Sequence, residues 1–160
     1  MADFAIHALP VARGILALSP LPGRGGQYAD DLKLLRNWQP GLAISMTTRA
    51  EMVAHGAENL GMDLQDMGTR WVHLPVEDFS IPDPLVAEAW HAASTGALSA
   101  LEGGGRVLIH CKGGSGRSGM AVLRLMIQAG EDPAAALKRL RTIRPCAIET
   151  VAQMQWAWRG

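Results

Sequence analysis

The hydrophobic and polar positions of this chain predict short strands that alternate with longer helices. Apolar runs typical of buried strands lie at 15–18, 42–46, 71–76 and 106–109. The segments that predict helices lie at 29–38, about 48–60, 85–101 and 120–127, with two more that begin near 133 and 150. We therefore expect an α/β fold with a central, mainly parallel sheet of about four to five strands and helices on both faces.

Capping residues support several of these helix ends. Thr48 and Glu51 have the spacing of a capping box, and Asp132-Pro133 has the order of an N-cap followed by the first helical residue. Gly130 fits the end of the preceding helix. No repeat or long linker interrupts the pattern, so we expect one domain over 1–160.

Composition excludes several classes of partner. The chain has 160 residues, is 48% hydrophobic and carries no formal net charge, which argues against a nucleic-acid partner held by a basic surface. No apolar run approaches the roughly 18 residues of a membrane span. Pro10 and Arg13 interrupt the first apolar stretch, which makes a poor signal peptide. Two cysteines are too few for a disulfide framework, so we expect a cytoplasmic protein. We also expect a monomer.

The segment His110–Gly119 carries the strongest chemical signal. It joins the predicted strand at 106–109 to the predicted helix at 120–127 and contains a thiol, glycines and an arginine. Backbone N–H groups at a helix N-terminus are unpaired and the helix dipole is positive there, so this position suits an anion. A thiol in such a field is driven towards the nucleophilic thiolate. The pattern predicts attack by Cys111 on a bound phosphate or similar oxyanion.

The other residues of this segment have separate physical tasks. Gly113, Gly114 and Gly116 allow the backbone to curl until its N–H groups face one anion. Arg117 can bind two oxygens at once, and the hydroxyl of Ser118 can donate a hydrogen bond to the thiolate. His110, which precedes Cys111, is expected to orient the loop rather than to act as a base, because adjacent side chains of a strand point to opposite faces. The loop residues expected to bind substrate are Lys112, Gly113, Gly114, Ser115 and Gly116.

The same segment also contains a G-x-G-x-x-G pattern at 114–119, which is typical of dinucleotide-binding loops. That fold needs a further strand and an acidic residue about twenty positions later. The chain after Gly119 is instead helical in pattern, and this interpretation leaves Cys111 without a role. A tight turn with an incidental buried thiol is a third interpretation of the segment.

An acidic loop at 77–84 follows the predicted strand 71–76 and offers a proton donor for a leaving group. Asp78 lies just beyond the strand end, where parallel sheets of this kind form their sites. Asp83 precedes Pro84 and fits a helix N-cap instead. We therefore favour Asp78 as the general acid over Glu77 and Asp83.

These residues resemble a known family. His110-Cys111-x5-Arg117-Ser118 matches the signature of the Cys-dependent protein tyrosine and dual-specificity phosphatases. The segments Pro75-x-x-Asp78-x-x-x-Pro82-Asp83, Gly113-Gly114 and Arg144-Pro145-x-Ala147-Ile148-x-Thr150-x-x-Gln153 are similar to the kinase-associated phosphatases of the cyclin-dependent kinase inhibitor 3 type. The resemblance covers about 42–158 and is strongest after Arg106.

The resemblance implies a phosphoric monoester hydrolase with a phosphocysteine intermediate. Cys111 would be the nucleophile, Arg117 would bind phosphate, Ser118 would assist release of the thiolate and Asp78 would be the general acid. Gln153 matches a position that places the hydrolytic water in relatives, although Thr150-x-x-Gln153 is equally a capping box. The family needs no cofactor, and the histidines show no metal-ligand spacing, so we expect no metal.

The expected substrate is a phosphorylated protein or peptide. The long phosphotyrosine-recognition insertion of classical tyrosine phosphatases has no obvious equivalent in this sequence, so a shallower site is expected to accept phosphoserine and phosphothreonine as well as phosphotyrosine. Lys112 beside the nucleophile resembles lipid-phosphate relatives, which makes a phosphoinositide or small phosphoester the second candidate substrate. A cysteine loop with an arginine is also compatible with a rhodanese-like sulfurtransferase, an arsenate reductase or a non-catalytic phosphoresidue-binding module. Cys146 is either a quiet apolar residue or a disulfide partner for Cys111.

Overall fold

The computed structural model describes residues 4–160 and contains a five-stranded sheet with helices on both faces. The strands are β1 (His7–Val11), β2 (Gly14–Ser19), β3 (Leu42–Ser45), β4 (Arg70–His73) and β5 (Arg106–His110). Their order across the sheet is β1-β2-β5-β3-β4, with β1 antiparallel to β2 and all other pairs parallel. The prediction of an α/β fold with a mainly parallel sheet is confirmed.

Two groups of helices cover the two faces of this sheet. The helices are α1 (Tyr28–Trp38), α2 (Arg49–Ala54), α3 (Leu60–Asp66), α4 (Pro84–Glu102), α5 (Gly116–Gln128), α6 (Pro133–Ile143) and α7 (Val151–Trp158). Helices α4 to α7 pack into the larger apolar core on one face, and α1 to α3 form a smaller core on the other. None of the described helices is long and apolar enough to cross a bilayer.

Alternating side chains anchor the central strand to both cores. In β5, Val107 and Ile109 belong to the larger core, whereas Leu108 belongs to the smaller core, and all three are buried. This period of two is the geometry of a strand that is covered on both faces. Cys111 follows β5 directly, so its position at the end of the central strand is fixed.

The hairpin strand β1 was not expected from the sequence. Pro10 interrupts its hydrophobic pattern. Because β1 is an edge strand in which Pro10 pairs with Ile15, the missing N–H of the proline removes no hydrogen bond that the sheet requires. Only Leu9 and Val11 of β1 are buried, so its hydrophobic signal is short.

The predicted helix at 48–60 is wrong in its extent. Its capping box is present, because the N–H of Glu51 donates to Thr48 Oγ1 and the N–H of Thr48 donates to Glu51 Oε1. The helix nevertheless ends at Ala54, and Gly56 adopts a left-handed conformation with φ of 69°. A left-handed residue favours glycine and stops a helix, so α3 begins separately at Leu60.

Other sequence signals are confirmed as helix caps. The N–H of Val86 donates to Asp83 Oδ1, and the N–H of Ala135 donates to Asp132 Oδ2. A proline follows each of these aspartates as the first helical residue, as expected. Gly130 follows α5 with φ of 102°.

The functional edge of the sheet is where the four parallel strands end. Beyond β4, the N–H groups of Leu74 and Val76 still donate to the carbonyls of Ser45 and Met46, which carries the chain across this edge. Four connections therefore meet here, namely 20–27, 46–48, 74–83 and 111–115. Parallel sheets of this kind bind ligands at the carboxyl ends of their strands.

The extent of the domain, 1–160, stays a prediction, and its first three residues lie outside the described part.

Candidate active site

The thiol of Cys111 lies at the centre of this edge. Its residue is 2% exposed, and Sγ lies 3.2 Å from the hydroxyl oxygen of Ser118 on the first turn of α5. The thiol is held at the end of β5, and the hydroxyl is held by α5. The hydroxyl can therefore donate a hydrogen bond to a thiolate without any rearrangement of the backbone.

The loop that follows this thiol carries backbone donors without partners. None of the N–H groups from Gly113 to Ser118 donates to an acceptor within residues 4–160. Unpaired N–H groups at the start of a helix, together with its dipole, favour an anion. Two carbonyls of the loop are held on its outer side by Arg144, which donates from Nε to Gly114 at 3.0 Å and from Nη2 to Gly113 at 2.9 Å.

The physical reason for glycine differs among the positions of this loop. Gly114 alone among those at 113–116 has a positive φ, of 72°, and a Cβ there would lie 2.7 Å from the backbone of Ser19. At Gly113 and Gly116 a side chain would instead meet Arg24 and Glu149. A left-handed backbone therefore requires glycine only at Gly114, whereas at the other two positions neighbouring side chains lie close.

Arg117 is buried beside the thiol and is held by a carboxylate from another strand connection. Its Nη1 and Nη2 donate to the two oxygens of Glu51 at 2.7 and 2.8 Å, and Nη1 also donates to the carbonyl of Val76 at 2.8 Å. Burial by itself would lower the pKa of Arg117, but Glu51 and the charge of Cys111 raise it, so the guanidinium stays charged. Its Nε has no acceptor within residues 4–160, which leaves that donor for an anion.

Glu51 is a functional residue whose only signal in the sequence is that of a helix cap. Burial would raise the pKa of Glu51, but hydrogen bonds from Arg117 and Thr48 lower it to about 2. The carboxylate is therefore ionised at neutral pH. The signal that could have identified it is position, since Thr48 and Glu51 follow β3 at the functional edge.

We expect Glu51→Gln to lower kcat/KM for p-nitrophenyl phosphate by about 10- to 100-fold, because the buried Arg117 would lose half of a bidentate pair and its counter-charge. Steady-state kinetics measures this effect, with Glu88→Gln on the exposed side of α4 as the matched control. Equal activity of both variants would show that Glu51 does not position the guanidinium.

Asp78 is the acid that reaches this cluster. Its Oδ1 lies 3.3 Å from Arg117 Nη2, and its side chain is 42% exposed, so it stands between the guanidinium and solvent. Oδ1 also accepts the N–H of Phe79, which has a left-handed φ of 61°. Asp83 caps α4, as the sequence indicated. The acidic loop thus places one carboxylate beside the guanidinium of Arg117.

Gln153 is fully buried and connects the acidic loop to α7. Its Oε1 accepts the N–H of Glu149 at 3.0 Å, and its Nε2 donates to the carbonyl of Ser80 at 3.2 Å. Its own N–H donates to Thr150 Oγ1, so the cap is present, but the side chain does not return to the N–H of Thr150 as a full capping box requires. Its Oε1 also lies 2.9 Å from the position that a Cβ on Gly116 would occupy, so Gln153 lies between the Cys111 loop and the segment that carries Asp78.

The ring of His110 is directed away from the site. Nε2 lies 2.5 Å from Ser45 Oγ, which already accepts a hydrogen bond from Trp71 Nε1, and Nδ1 lies 3.2 Å from the carbonyl of Cys111. These partners assign the proton to Nδ1, which donates to the carbonyl, while Nε2 accepts from the serine. Burial lowers the pKa of His110 to about 4. A neutral ring with two satisfied nitrogens orients the loop and is unsuited to act as a base.

The buried ring of His110 makes the stability of the fold depend on pH. The unfolded ring takes up a proton as the pH falls below about 6.5, whereas the folded ring stays neutral down to about 4, so the fold loses stability across that window. We expect the free energy of unfolding to fall by about 2 kcal/mol more between about pH 7 and pH 5 in the wild type than in His110→Gln. Urea unfolding at both pH values measures the difference. Parallel curves for the two proteins would contradict it.

The remaining predicted residues lie on the rim of the loop. Lys112 is half-buried, and Ser115 Oγ lies 2.9 Å from Sγ of the exposed Cys146. Both cysteines are free thiols, and Cys146 contacts Ser115 rather than lying quietly in an apolar core. Within residues 4–160, no group of three or more potential ligands from His, Cys, Asp and Glu is arranged to hold a metal ion.

Comparisons with known proteins agree with this geometry. Residues 20–131 match a family model described as "Polymorphic toxin system, DSP-PTPase phosphatase". Mouse cyclin-dependent kinase inhibitor 3 is 34% identical over 112 residues, which cover 68% of this chain and 51% of that protein. The chain thus spans about half the length of the curated relatives that it matches.

Solved structures show the same fold. Kinase-associated phosphatase with its catalytic cysteine replaced by serine superposes with a TM-score of 0.83 at 24% identity, and the match covers 98% of this chain and 93% of that one. Tk-PTP in its active form gives a TM-score of 0.71 at 26% identity over 90% of this chain and 89% of that one.

Proposed function

This chain belongs to the DSP-PTPase family of phosphatases, and from that premise we propose that it hydrolyses phosphoric monoesters through a phosphocysteine on Cys111. The resemblance to kinase-associated phosphatases inferred from the sequence is confirmed. The observation that carries the proposal is the set of unpaired N–H groups in the loop directly after a thiol that already contacts a hydroxyl.

In the first step the phosphate oxygens bind the loop N–H groups and the guanidinium of Arg117. The Cys111 thiolate attacks phosphorus in line with the leaving oxygen, an S–P bond forms and the P–O bond to the leaving group breaks. Asp78 gives its proton to the leaving oxygen, so that an alcohol or phenol departs. The charge that develops on the phosphoryl oxygens is stabilised by donors that are in place beforehand.

In the second step water attacks the phosphocysteine. The carboxylate of Asp78 accepts a proton from that water, the S–P bond breaks and inorganic phosphate forms. The thiolate leaves with its electron pair, and the hydroxyl of Ser118 stabilises it by a hydrogen bond over the 3.2 Å contact. The S–P bond that formed in the first step is thereby broken, and Asp78 regains the proton that it gave to the leaving group.

Within this mechanism we assign Gln153 to the positioning of the acidic loop, through the carbonyl of Ser80 two residues after Asp78. Loss of one such hydrogen bond corresponds to about tenfold in rate. We therefore expect Gln153→Ala to lower kcat by about tenfold for alkyl phosphates, which need a proton, and by less for p-nitrophenyl phosphate. A role in placing the hydrolytic water would instead slow both substrates equally and make phosphocysteine accumulate. Pre-steady-state kinetics with both substrates separates the two outcomes.

The proposed substrates are phosphorylated proteins or peptides. The acidic connection is short and Asp78 is partly exposed, which suits a shallow site that accepts phosphoserine, phosphothreonine and phosphotyrosine. A reducing compartment such as the cytoplasm is part of this proposal, because oxidation would remove the thiolate that the mechanism needs.

The basic test is turnover of p-nitrophenyl phosphate with and without a chelator, alongside a sulfurtransferase assay with thiosulfate. The proposal requires chelator-insensitive release of phosphate and no thiosulfate turnover. Sulfurtransferase activity without phosphatase activity would favour a rhodanese-like enzyme. Tight binding of phosphopeptide without turnover would favour a binding module.

A further inference from the structure

The connection between α6 and α7 (residues 144–150) binds the Cys111 loop (residues 111–115), although the mechanism gives it no role. Arg144 donates from Nε to the carbonyl of Gly114 at 3.0 Å and from Nη2 to the carbonyl of Gly113 at 2.9 Å. The N–H of Ile148 donates to the carbonyl of Ser115 at 3.0 Å. Three consecutive carbonyls of the loop are therefore bound by this one connection.

The bound carbonyls set the direction of the neighbouring N–H groups. In a planar trans peptide the C=O and N–H bonds point in opposite directions. The N–H groups of Gly114, Ser115 and Gly116 therefore point away from the α6–α7 connection. None of the three donates to an acceptor within residues 4–160, so all three are available to a bound anion.

Glycine makes this part of the loop easy to turn over. The peptide between Gly113 and Gly114 has a glycine on each side, and Gly114 has a left-handed φ of 72°. Because glycine adopts positive and negative φ about equally readily, rotation of such a peptide plane meets little steric resistance. A plane that turned over would direct its carbonyl oxygen, which repels an anion, to the side where its N–H now lies. A contact from outside the loop is therefore needed to hold the planes.

Arg144 is suited to this task because the fold holds its backbone. Its N–H donates to the carbonyl of Leu140 at the end of α6, and its carbonyl accepts the N–H of Ala147, both at 2.9 Å. Arg141 donates from Nε to the carbonyl of Ala147 at 3.0 Å, which fixes the turn that follows. Arg144 forms no salt bridge within residues 4–160, so no carboxylate there neutralises its charge. A cation on a carbonyl polarises the whole peptide group and strengthens its N–H as a donor.

We propose that Arg144 is a positioning residue for the phosphatase reaction. Its guanidinium holds two successive peptide planes so that the N–H groups of Gly114 and Ser115 donate to the bound phosphoryl group. The planar fork of arginine can bind two carbonyls at once, whereas the ammonium of lysine is a point charge. This inference rests on the proposed function and extends it to a residue that acts through the backbone of the loop.

The test measures the binding of inorganic phosphate to isotope-labelled protein by amide resonances. In the wild type, phosphate should shift the resonances of Gly114, Ser115 and Ser118. We expect Arg144→Gln to bind phosphate about 10- to 100-fold more weakly, because one or two hydrogen bonds to a charged group are lost. At saturating phosphate, the shifts of Gly114 and Ser115 should shrink while that of Ser118 remains. Lys138→Gln, an exposed position on α6, removes the same charge and should bind phosphate like the wild type.

Arg144→Lys separates geometry from charge. Lysine keeps the positive charge but not the fork, so this variant should still bind phosphate at least about fivefold more weakly than the wild type. Full recovery in Arg144→Lys would show that charge acts alone and would overturn the positioning role. Equal phosphate affinity of Arg144→Gln and the wild type would overturn it as well. So would resonances that change throughout the protein, since Arg144 would then maintain the fold as a whole.

The outcomes separate this inference from the proposed function. Turnover of p-nitrophenyl phosphate by the wild type tests the phosphatase activity alone. Phosphate binding and its dependence on Arg144 are measured without turnover. Loss of binding in Arg144→Gln would therefore support the positioning role even in a protein that binds phosphate and never hydrolyses an ester.

Discussion

Replacing Cys111 by serine is expected to reduce kcat for p-nitrophenyl phosphate by at least about 10⁴-fold, because the enzyme loses its nucleophile. A serine hydroxyl has nearly the same size as the thiol and can keep the contact with Ser118. It does not, however, ionise near neutral pH, and the adjacent His110 is not available as its base, since its ring faces Ser45. The binding loop should survive while the covalent step is lost.

The structure offers a matched control for this change. Cys146→Ser alters the other cysteine, which is exposed and contacts only the rim residue Ser115. This variant should turn over substrate like the wild type. Binding of inorganic phosphate to Cys111→Ser, followed by thermal shift, shows whether its site is intact. An active Cys111→Ser variant, or equal loss in both variants, would contradict the assignment of the nucleophile.

The second large effect is expected at Asp78. Asp78→Asn should lower kcat by about 10²- to 10⁴-fold for an alkyl phosphate such as a phosphoserine peptide, because an alkoxide cannot leave without a proton. The effect on p-nitrophenyl phosphate should be smaller, since p-nitrophenolate is a stable leaving group. Asparagine keeps the size of the side chain and the acceptor for the N–H of Phe79.

Asp83→Asn is the control for the same chemical change five residues later. Asparagine is a good helix N-cap, so this variant should keep both stability and activity. The ratio of the effects on the two substrates is the decisive number, because misfolding would lower both equally. A uniform loss in Asp78→Asn, or a larger effect at Asp83, would move the acid elsewhere.

The parts of this site that the sequence predicts are those encoded by neighbouring residues. Cys111, Arg117 and Ser118 share one loop between a buried strand and a helix, so their spacing alone indicates an anion site with a thiol. Asp78 could be placed because the loop that carries it follows a strand, and the ends of parallel strands share an edge.

Contacts between distant residues could not be predicted in this way. Glu51 and Arg117 are 66 positions apart, and their pairing depends on β3 lying directly beside β5 in the sheet. Arg24 reaches Gly113 only because β2 borders β5 on the other side. The hydrophobic periodicity of a single segment does not predict the order of the strands across the sheet.

The edge strand and the broken helix were missed for local reasons. Pro10 argues against a strand unless the strand lies at an edge, and this location is a property of the whole sheet. A glycine such as Gly56 can either be tolerated inside a helix or end one, so the pattern at 48–60 did not distinguish these outcomes.

The central claim is that a phosphoryl group passes through Cys111, and trapping the intermediate tests it most directly. The enzyme and Asp78→Asn are mixed rapidly with p-nitrophenyl phosphate, quenched and digested, and the peptides are analysed by mass spectrometry. The proposed mechanism predicts a burst of p-nitrophenolate equal to the enzyme concentration in Asp78→Asn, and one phosphoryl group on the peptide that contains Cys111. Turnover without a covalent adduct, or an adduct on any other residue, would contradict it.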